Sequence, residues 1–348
     1  MEALLTLDGV TKSFTQRQGT RRQIQAVAGV SLAVGRRETL GLVGESGCGK
    51  SSLARLALRL TDVTSGRVLF DGADITAWDG RRLLPVRRRL QAVFQDPTAS
   101  LNPRMTIAEV MAEPFATHGI ALREKLAPRI RELLSFVGLE GIDLAKRPAQ
   151  FSGGQLQRIA IARALALEPE LIVADEPTSA LDPSIQAQIV NLLLRVQRER
   201  GLSYLIISHD LEVVGHVSDR IAVMYLGVIV ETGPAAGIMG EPLHPYTQAL
   251  LSAAPTLAAR RDPAWRRITL TGDLPNPAEA PSGCRFHPRC PLARARCREE
   301  APALRQVDGG QAVACHFAPV ETRARGIDIG RARIGMPRPS ETSSNGGS

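Results

Sequence analysis

The residues Gly44-Glu45-Ser46-Gly47-Cys48-Gly49-Lys50-Ser51 spell G-x-x-x-x-G-K-[ST], a run whose residue types suit the holding of phosphate groups. Its glycines let the backbone curl so that successive N–H groups face phosphate oxygens. The helical pattern that follows, Ser51–Leu60, turns its positive N-terminal end toward the same anion. Lys50 has the length and charge to reach the β- and γ-phosphates, and the Ser51 hydroxyl suits Mg²⁺. Ser52 extends the candidate ATP-binding set by one residue. At Cys48 a small side chain is the only obvious demand. A chance match would be a bare loop, but here a strand-like run, Glu38–Val43, leads in and a helix leads out.

A second run, Leu171-Ile172-Val173-Ala174-Asp175-Glu176, is apolar until it ends in two acids. The apolar part belongs inside a sheet, so its end delivers the carboxylates beside the phosphate loop. Asp175 is suited to hold Mg²⁺ through water, and Glu176 to polarise an attacking water as general base. Taken alone, such a run is equally a plain strand end. The phosphate loop upstream is what gives it chemistry.

These residues need a scaffold, and the hydrophobic pattern describes one. Strand signals fall at Leu4–Leu7, Ile24–Val30, Arg67–Phe70 and Leu90–Val93. From about Thr106 to Leu139 the apolar spacing turns helical, and a further helix is expected from near Ser152 toward Ala166. Then come a strand (Leu171–Ala174), a helix (Ile185–Arg200), a strand (Tyr204–Ile207), a short helix (Leu211–Val217), and a hairpin, Ile221–Tyr225 with Val228–Glu231, around Leu226-Gly227. Such alternation implies an α/β domain with a largely parallel sheet. Between about Ala253 and Ala280 the chain is rich in Pro, Ala and Arg and reads as a linker. A small cysteine-containing module follows, and the final stretch reads as disordered. The expected division is a nucleotide-binding domain at 1–255, a C-terminal module at 256–320 and a tail at 321–348.

Composition agrees with one large domain plus an appendix. The chain has 348 residues, of which 44% are hydrophobic and only 4% aromatic, so aliphatic side chains must fill the core. A formal charge of +8 suits an anionic partner but does not choose among nucleotide, nucleic acid and membrane surface. No apolar run reaches the roughly 18 residues a membrane span needs, and the N-terminus lacks a signal-peptide pattern. A cytosolic setting is therefore expected, with cysteines free or bound to a metal or cluster.

Phe151-Ser152-Gly153-Gly154-Gln155-Leu156-Gln157-Arg158 resembles the signature motif of ATP-binding cassette (ABC) proteins, with Phe151 where the family usually has Leu. The resemblance implies a P-loop NTPase cassette: a mostly parallel core sheet, an antiparallel β-subdomain and a helical subdomain at about 96–165. It also implies that Ser152, Gly153, Gly154 and Gln155 meet the γ-phosphate of ATP held by a second subunit, a further case of anion binding at a helix start. Gln95 resembles the Q-loop glutamine that meets Mg²⁺. Ser179-Ala180-Leu181-Asp182 resembles the D-loop, and His209 the switch histidine near the γ-phosphate. Phe14 matches the aromatic that stacks on adenine, although a Phe opening a core hairpin would look the same. The expected catalytic set is Glu176, His209 and Gln95; the expected Mg²⁺ ligands are Ser51, Gln95 and Asp175.

Further stretches resemble the oligopeptide and dipeptide importer group: Phe94 to Pro103, His244-Pro245-Tyr246-Thr247, Leu274-Pro275-Asn276-Pro277, and Pro281 to Cys290. That implies a peripheral subunit on the cytoplasmic face of the inner membrane. Its implied partners are two transmembrane permeases, a second identical or paralogous ATPase and, indirectly, an extracytoplasmic solute-binding protein. Related members carry nickel, glutathione or sugars as well. A nucleic-acid ATPase of the same superfamily is the reading from another class; the absence of any sustained heptad run speaks against it, and no nucleic acid is expected. Cys284, Cys290, Cys297 and Cys315 are spaced C-x₅-C-x₆-C-x₁₇-C. Four thiolates can hold a [4Fe–4S] cluster or a structural Zn²⁺. Zinc ribbons favour tighter pairs, His287 and His316 could stand in as zinc ligands, and unligated thiols remain the third reading. Some members of the resembled group bind an iron–sulfur cluster at this motif.

Overall fold

The computed structural model describes residues 2–16, 22–121, 123–253, 267–270, 272–273 and 275–318. The expected tail at 321–348, most of the expected linker, and Leu274 lie outside the described residues.

Two long strands, β1 (Ala3–Gln16) and β2 (Arg22–Gly35), pair antiparallel from Ala3 opposite Gly35 to Gln16 opposite Arg22. Then come β3 (Thr39–Val43), α1 (Lys50–Ala57), β4 (Ser65–Phe70), β5 (Ala73–Asp74), α2 (Gly80–Arg89) and β6 (Leu90–Val93). A helical stretch holds α3 (Pro97–Ser100), α4 (Ile107–Thr117), α5 (Leu126–Phe136) and α6 (Gly153–Leu165). The chain returns through β7 (Leu171–Asp175), α7 (Pro183–Arg200), β8 (Ser203–Ser208), α8 (Leu211–Val217), β9 (Arg220–Tyr225), β10 (Val228–Pro234), α9 (Ala235–Gly240) and α10 (Pro245–Ala253). The C-terminal part adds α11 (Ala295–Glu299), β11 (Arg305–Gln306) and β12 (Ala312–Val313).

The strands form two sheets. One is antiparallel, in the order β2-β1-β4-β5; the other has eight strands, in the order β11-β12-β10-β9-β3-β8-β7-β6. From β9 to β6 every pairing in the larger sheet is parallel. Parallel neighbours need crossovers, which the intervening helices supply, and those helices cover both faces. Hence β3 and β8 are buried along their whole length, the physical origin of their mostly apolar sequence, with polar residues only at the ends: Thr39, Ser203 and Ser208. Parallel order also brings the ends of β3, β6, β7 and β8 to one rim, where the phosphate loop, Gln95, Asp175-Glu176 and His209 follow them.

The helical pattern at 106–139 resolves into two helices. Thr106 caps α4 through a capping box with Glu109, and Gly119 at φ 65 lies just past its end. Val110, Met111 and Phe115 of α4, Ile130, Leu133 and Leu134 of α5, and Ile159 of α6 share one core with Ile172 and Ile206 of the sheet. The cysteine-containing part is joined to the cassette by backbone: β12 pairs with β10, Thr232 opposite Ala312 and Glu231 opposite Val313.

Candidate functional site

The phosphate loop leaves β3 and enters α1 as its sequence requires. Gly49 sits at φ 109, and a Cβ there would come within 2.2 Å of the Ala26 carbonyl oxygen, so only glycine fits between the loop and β2. The tip of the β9–β10 hairpin braces the loop from the other side, where Gly227 N–H donates to Cys48 O at 2.8 Å. Lys50 is 4% exposed, and its Nζ donates to Gly44 O at 2.7 Å and Glu45 O at 2.9 Å. Two carbonyls and no carboxylate hold this ammonium, an arrangement that suits an incoming phosphate.

A cavity of about 360 Å³ opens over the loop, bounded by Ser46 to Ser52, Gln95 and Glu176 on the chemical side. Ser51 Oγ donates to Asp175 Oδ1 at 3.2 Å, which brings two expected Mg²⁺ ligands together. Burial pushes the Asp175 carboxyl above its ordinary value; the neighbouring Glu176 charge adds to this, and the Ser51 hydrogen bond opposes it. A buried, crowded pair of acids beside a hydroxyl fits a divalent cation. Glu176 has φ 47, rare for a residue with a side chain, and its N–H donates to Ile207 O at 2.8 Å. Its Oε2 lies 3.2 Å from His209 Nδ1.

The signature residues stand apart from this cavity. Ser152 caps α6, its Oγ accepting from Gln155 N–H while Gln155 Oε1 accepts from Ser152 N–H. Gly154 packs against Ile185, whose Cγ2 would be 2.7 Å from a Cβ, and Gly153 faces Leu181. Asp182 stands at the N-cap position of α7 without a side-chain capping bond, and the contacts to Leu181 and Ile185 on either side of it pack the signature against the D-loop. None of Ser152, Gly153, Gly154, Gln155 or Asp182 bounds the chain's own cavity. Phe14 does not bound it either; it is 44% exposed and lies opposite Ile24, which does. Sequence reading missed the remaining walls, namely Ile24, Gln25, Ala26, Leu226, Gly227 and Pro277. They bear no catalytic chemistry, and only the Asn276-Pro277 motif gave a signal.

The four C-terminal cysteines are free thiols, with Cys297 and Cys315 buried. Burial raises the Cys284 thiol to about 11 and Cys290 to about 12, and the other thiols of the set add to both shifts. Among the described residues no group of three His, Cys, Asp or Glu side chains is gathered to hold a metal ion, so neither the cluster reading nor the zinc reading of these cysteines gains support from the geometry.

A P-loop that shares one nucleotide-sized cavity with Gln95 and Glu176, with Asp175 and His209 outside the cavity wall but hydrogen-bonded to Ser51 and Glu176, on a parallel sheet with a helical layer and an antiparallel sheet, defines an ABC ATPase. Comparison with known proteins agrees. Residues 27–179 match the ABC transporter family, and residues 230–297 match the oligopeptide/dipeptide transporter C-terminal region. The chain is 49% identical over 321 residues to the oligopeptide transport ATP-binding protein AppF of Bacillus subtilis, covering 91% of this chain and 98% of that one. It is 46% identical over 321 residues to the di/tripeptide transport ATP-binding protein DppF of Pseudomonas aeruginosa, with the same coverage. Among solved structures it is similar to the dimeric post-hydrolysis state of the ATP-binding cassette MJ0796 bound to ADP and Pi, with TM-score 0.61 and 32% identity over 66% of this chain and 98% of that one. The chain belongs to the family of ABC transporter ATP-binding proteins of the oligopeptide/dipeptide type.

Proposed function

We propose that this chain is the motor of an importer for di- and oligopeptides, set on the cytoplasmic face of the membrane. It works head to tail with a second ATPase subunit, on two permeases supplied by a solute-binding protein. The match of residues 230–297 to the oligopeptide/dipeptide C-terminal region carries the peptide reading. Among the described residues no helix is long and apolar enough to cross a membrane, which agrees with a transport path supplied by partners. A groove of about 360 Å³ beside Gln95, lined by Leu60, Leu90, Phe94, Pro114, His118 and Leu167, supports permease docking next to the helical layer. Phe94 and Leu60 are exposed there.

Within the site, Lys50 and the loop amides bind the triphosphate, and Ser51, Asp175 and Gln95 hold Mg²⁺, which when bound offsets phosphate charge. Glu176 accepts the proton of the attacking water while His209, hydrogen-bonded to it, orients the carboxylate. Phe14, at the strand edge opposite Ile24, offers its face to adenine. Ser152 to Gln155 serve the ATP of the partner subunit. The fold supports reading 1–255 as the nucleotide-binding domain and 256–320 as a module docked on it. We further propose that Cys284, Cys290, Cys297 and Cys315 form a cage for a polynuclear cluster. Four cysteines within one short stretch of the C-terminal module, spaced more widely than zinc-ribbon pairs, are the ligand set that supports this reading.

The test is the complex with its permeases, purified without oxygen and reconstituted in vesicles. ATP-dependent uptake of labelled di- and oligopeptides, with bound iron and sulfide and no zinc, is expected. Uptake of nickel or glutathione alone would replace the peptide reading, and stoichiometric zinc would replace the cluster.

A further inference from the structure

The two arginines that lie between the cysteines in Cys284-Arg285-Phe286-His287-Pro288-Arg289-Cys290 reach out of the C-terminal module to the phosphate loop and to wall residues of the nucleotide cavity. Arg289 forms a two-pronged ion pair with Glu45 of the phosphate loop, Nη1 to Oε2 at 2.7 Å and Nη2 to Oε1 at 3.1 Å. Its side chain is 9% exposed, and the guanidinium carbon lies 6.0 Å from the centre of the Tyr225 ring. The Glu45 backbone is held from the same side, its N–H donating to Tyr246 Oη at 2.8 Å. Tyr225, Tyr246 and Phe286 form one aromatic cluster, with centroids 4.7 to 5.5 Å apart. Arg285 reaches the opposite wall, donating from Nη2 to Gln25 Oε1 at 2.8 Å and from Nη1 to Leu226 O. Gln25 and Leu226 bound the cavity, as does Pro277 from the segment just before the module's cysteines.

These contacts have an electrostatic consequence. Glu45 places a carboxylate in a loop that must receive a triphosphate, and a like charge at a partly buried position weakens anion binding. A bidentate guanidinium cancels that charge and fixes the side chain away from the loop's amides. We propose that Arg289 is a positioning residue of the nucleotide site: acting through Glu45, it sets the affinity for MgATP, so that the cysteine-bearing module is a structural part of the ATP pocket. Arg285 braces the second wall in the same way.

Steady-state ATP hydrolysis by the full chain, with MgATP as the varied ligand, tests this. Arg289→Ala should raise KM about tenfold with kcat within about twofold, a coupling of ordinary size. Arg289→Lys should recover much of the loss. If the alanine variant does not fold, Arg289→Gln, which keeps the stem and removes the charge, carries the same expectation. The double variant Arg289→Ala with Glu45→Gln should fall back to the KM of Glu45→Gln alone, because no carboxylate is left unpaired. Arg305→Ala is the control. Arg305 donates to Cys315 O at 2.9 Å within the module and is not among the residues bounding the pocket, so its loss should leave KM unchanged. An unchanged KM in Arg289→Ala, a double variant as weak as Arg289→Ala, or an equal loss in Arg305→Ala would overturn the proposal.

Discussion

Glu176 is held by its neighbours in a backbone conformation it would not choose. Its φ of 47 is maintained by the hydrogen bond from its N–H to Ile207 O, and the carboxylate then meets His209 Nδ1 at 3.2 Å. Replacing it with Gln preserves shape and removes the proton acceptor. Glu176→Gln is therefore expected to bind MgATP with little change in affinity while kcat falls about 10²- to 10³-fold, the usual contribution of a positioned base. A single-turnover assay beside an equilibrium binding measurement checks both halves; turnover within about tenfold of the parent would remove Glu176 as base. Residues of this kind were legible in the sequence because the phosphate loop upstream gave chemistry to what would otherwise read as a plain strand end. The walls made by Ile24, Gln25 and Pro277 were not, since packing against a base asks only for shape. Arg285 and Arg289 stood in view as part of a motif, but nothing in the chain near them announces partners about 260 and 244 residues away.

At the level of elements, the two sheets are joined by ions as well as by apolar packing. Arg36, which follows β2, pairs with Asp71 and with Glu170 Oε2 at 2.7 Å; Arg89, at the end of α2, pairs with Glu170 and with Asp71 Oδ2 at 2.6 Å. Asp71 turns β4 into β5, and Glu170 leads into β7, so four charges tie the antiparallel sheet to the parallel one. The arginines, Arg89 first, hold both carboxyls below their ordinary values. A depressed carboxyl stabilises the fold above its unfolded pKa and ceases to do so as the pH falls through its folded value. Arg89→Ala should cost about 1 kcal/mol or less at pH 7, since the pairs are about one-third exposed. The difference from the parent should narrow when the pH is taken from 7 to below the ordinary carboxylate range. Thermal unfolding at the two pH values reads this out, and an equal gap at both would assign the loss to packing of Arg89 on the Phe70 ring. The same level shows where sequence patterning fell short. Helix α2, Gly80-Arg-Arg-Leu-Leu-Pro-Val-Arg-Arg-Arg89, buries only Leu83 and Val86 and carries Pro85, so its apolar stripe is too thin to read. Strands β1 and β2 run well past the apolar stretches that announced them, because register shifts between Leu7 and Ser13 break the alternation.

For the molecule as a whole, the decisive geometry is a separation. The loop, Gln95 and Glu176 bound one cavity, while Ser152 to Gln155 begin a 13-residue helix that does not touch it. In the head-to-tail pairing proposed above, this helix start would meet the phosphate held by the partner subunit, since a helix N-terminus suits an anion. Gly153 offers a clean way to test this. A Cβ there would meet Leu181 Cδ2 at 3.5 Å, an ordinary contact, and its φ is not left-handed, so the single subunit should accept a larger side chain. Gly153→Asp then puts a carboxylate where the partner's phosphate must arrive. In the Glu176→Gln background, where ATP is held unhydrolysed, MgATP should double the solution mass of the parent. The added Gly153→Asp should keep it a monomer while ATP still binds at Lys50. Light scattering alongside nucleotide binding separates the two effects: a dimer that persists with Asp at 153 would show that the signature helix lies outside the shared interface, and the two-subunit site would have to be abandoned.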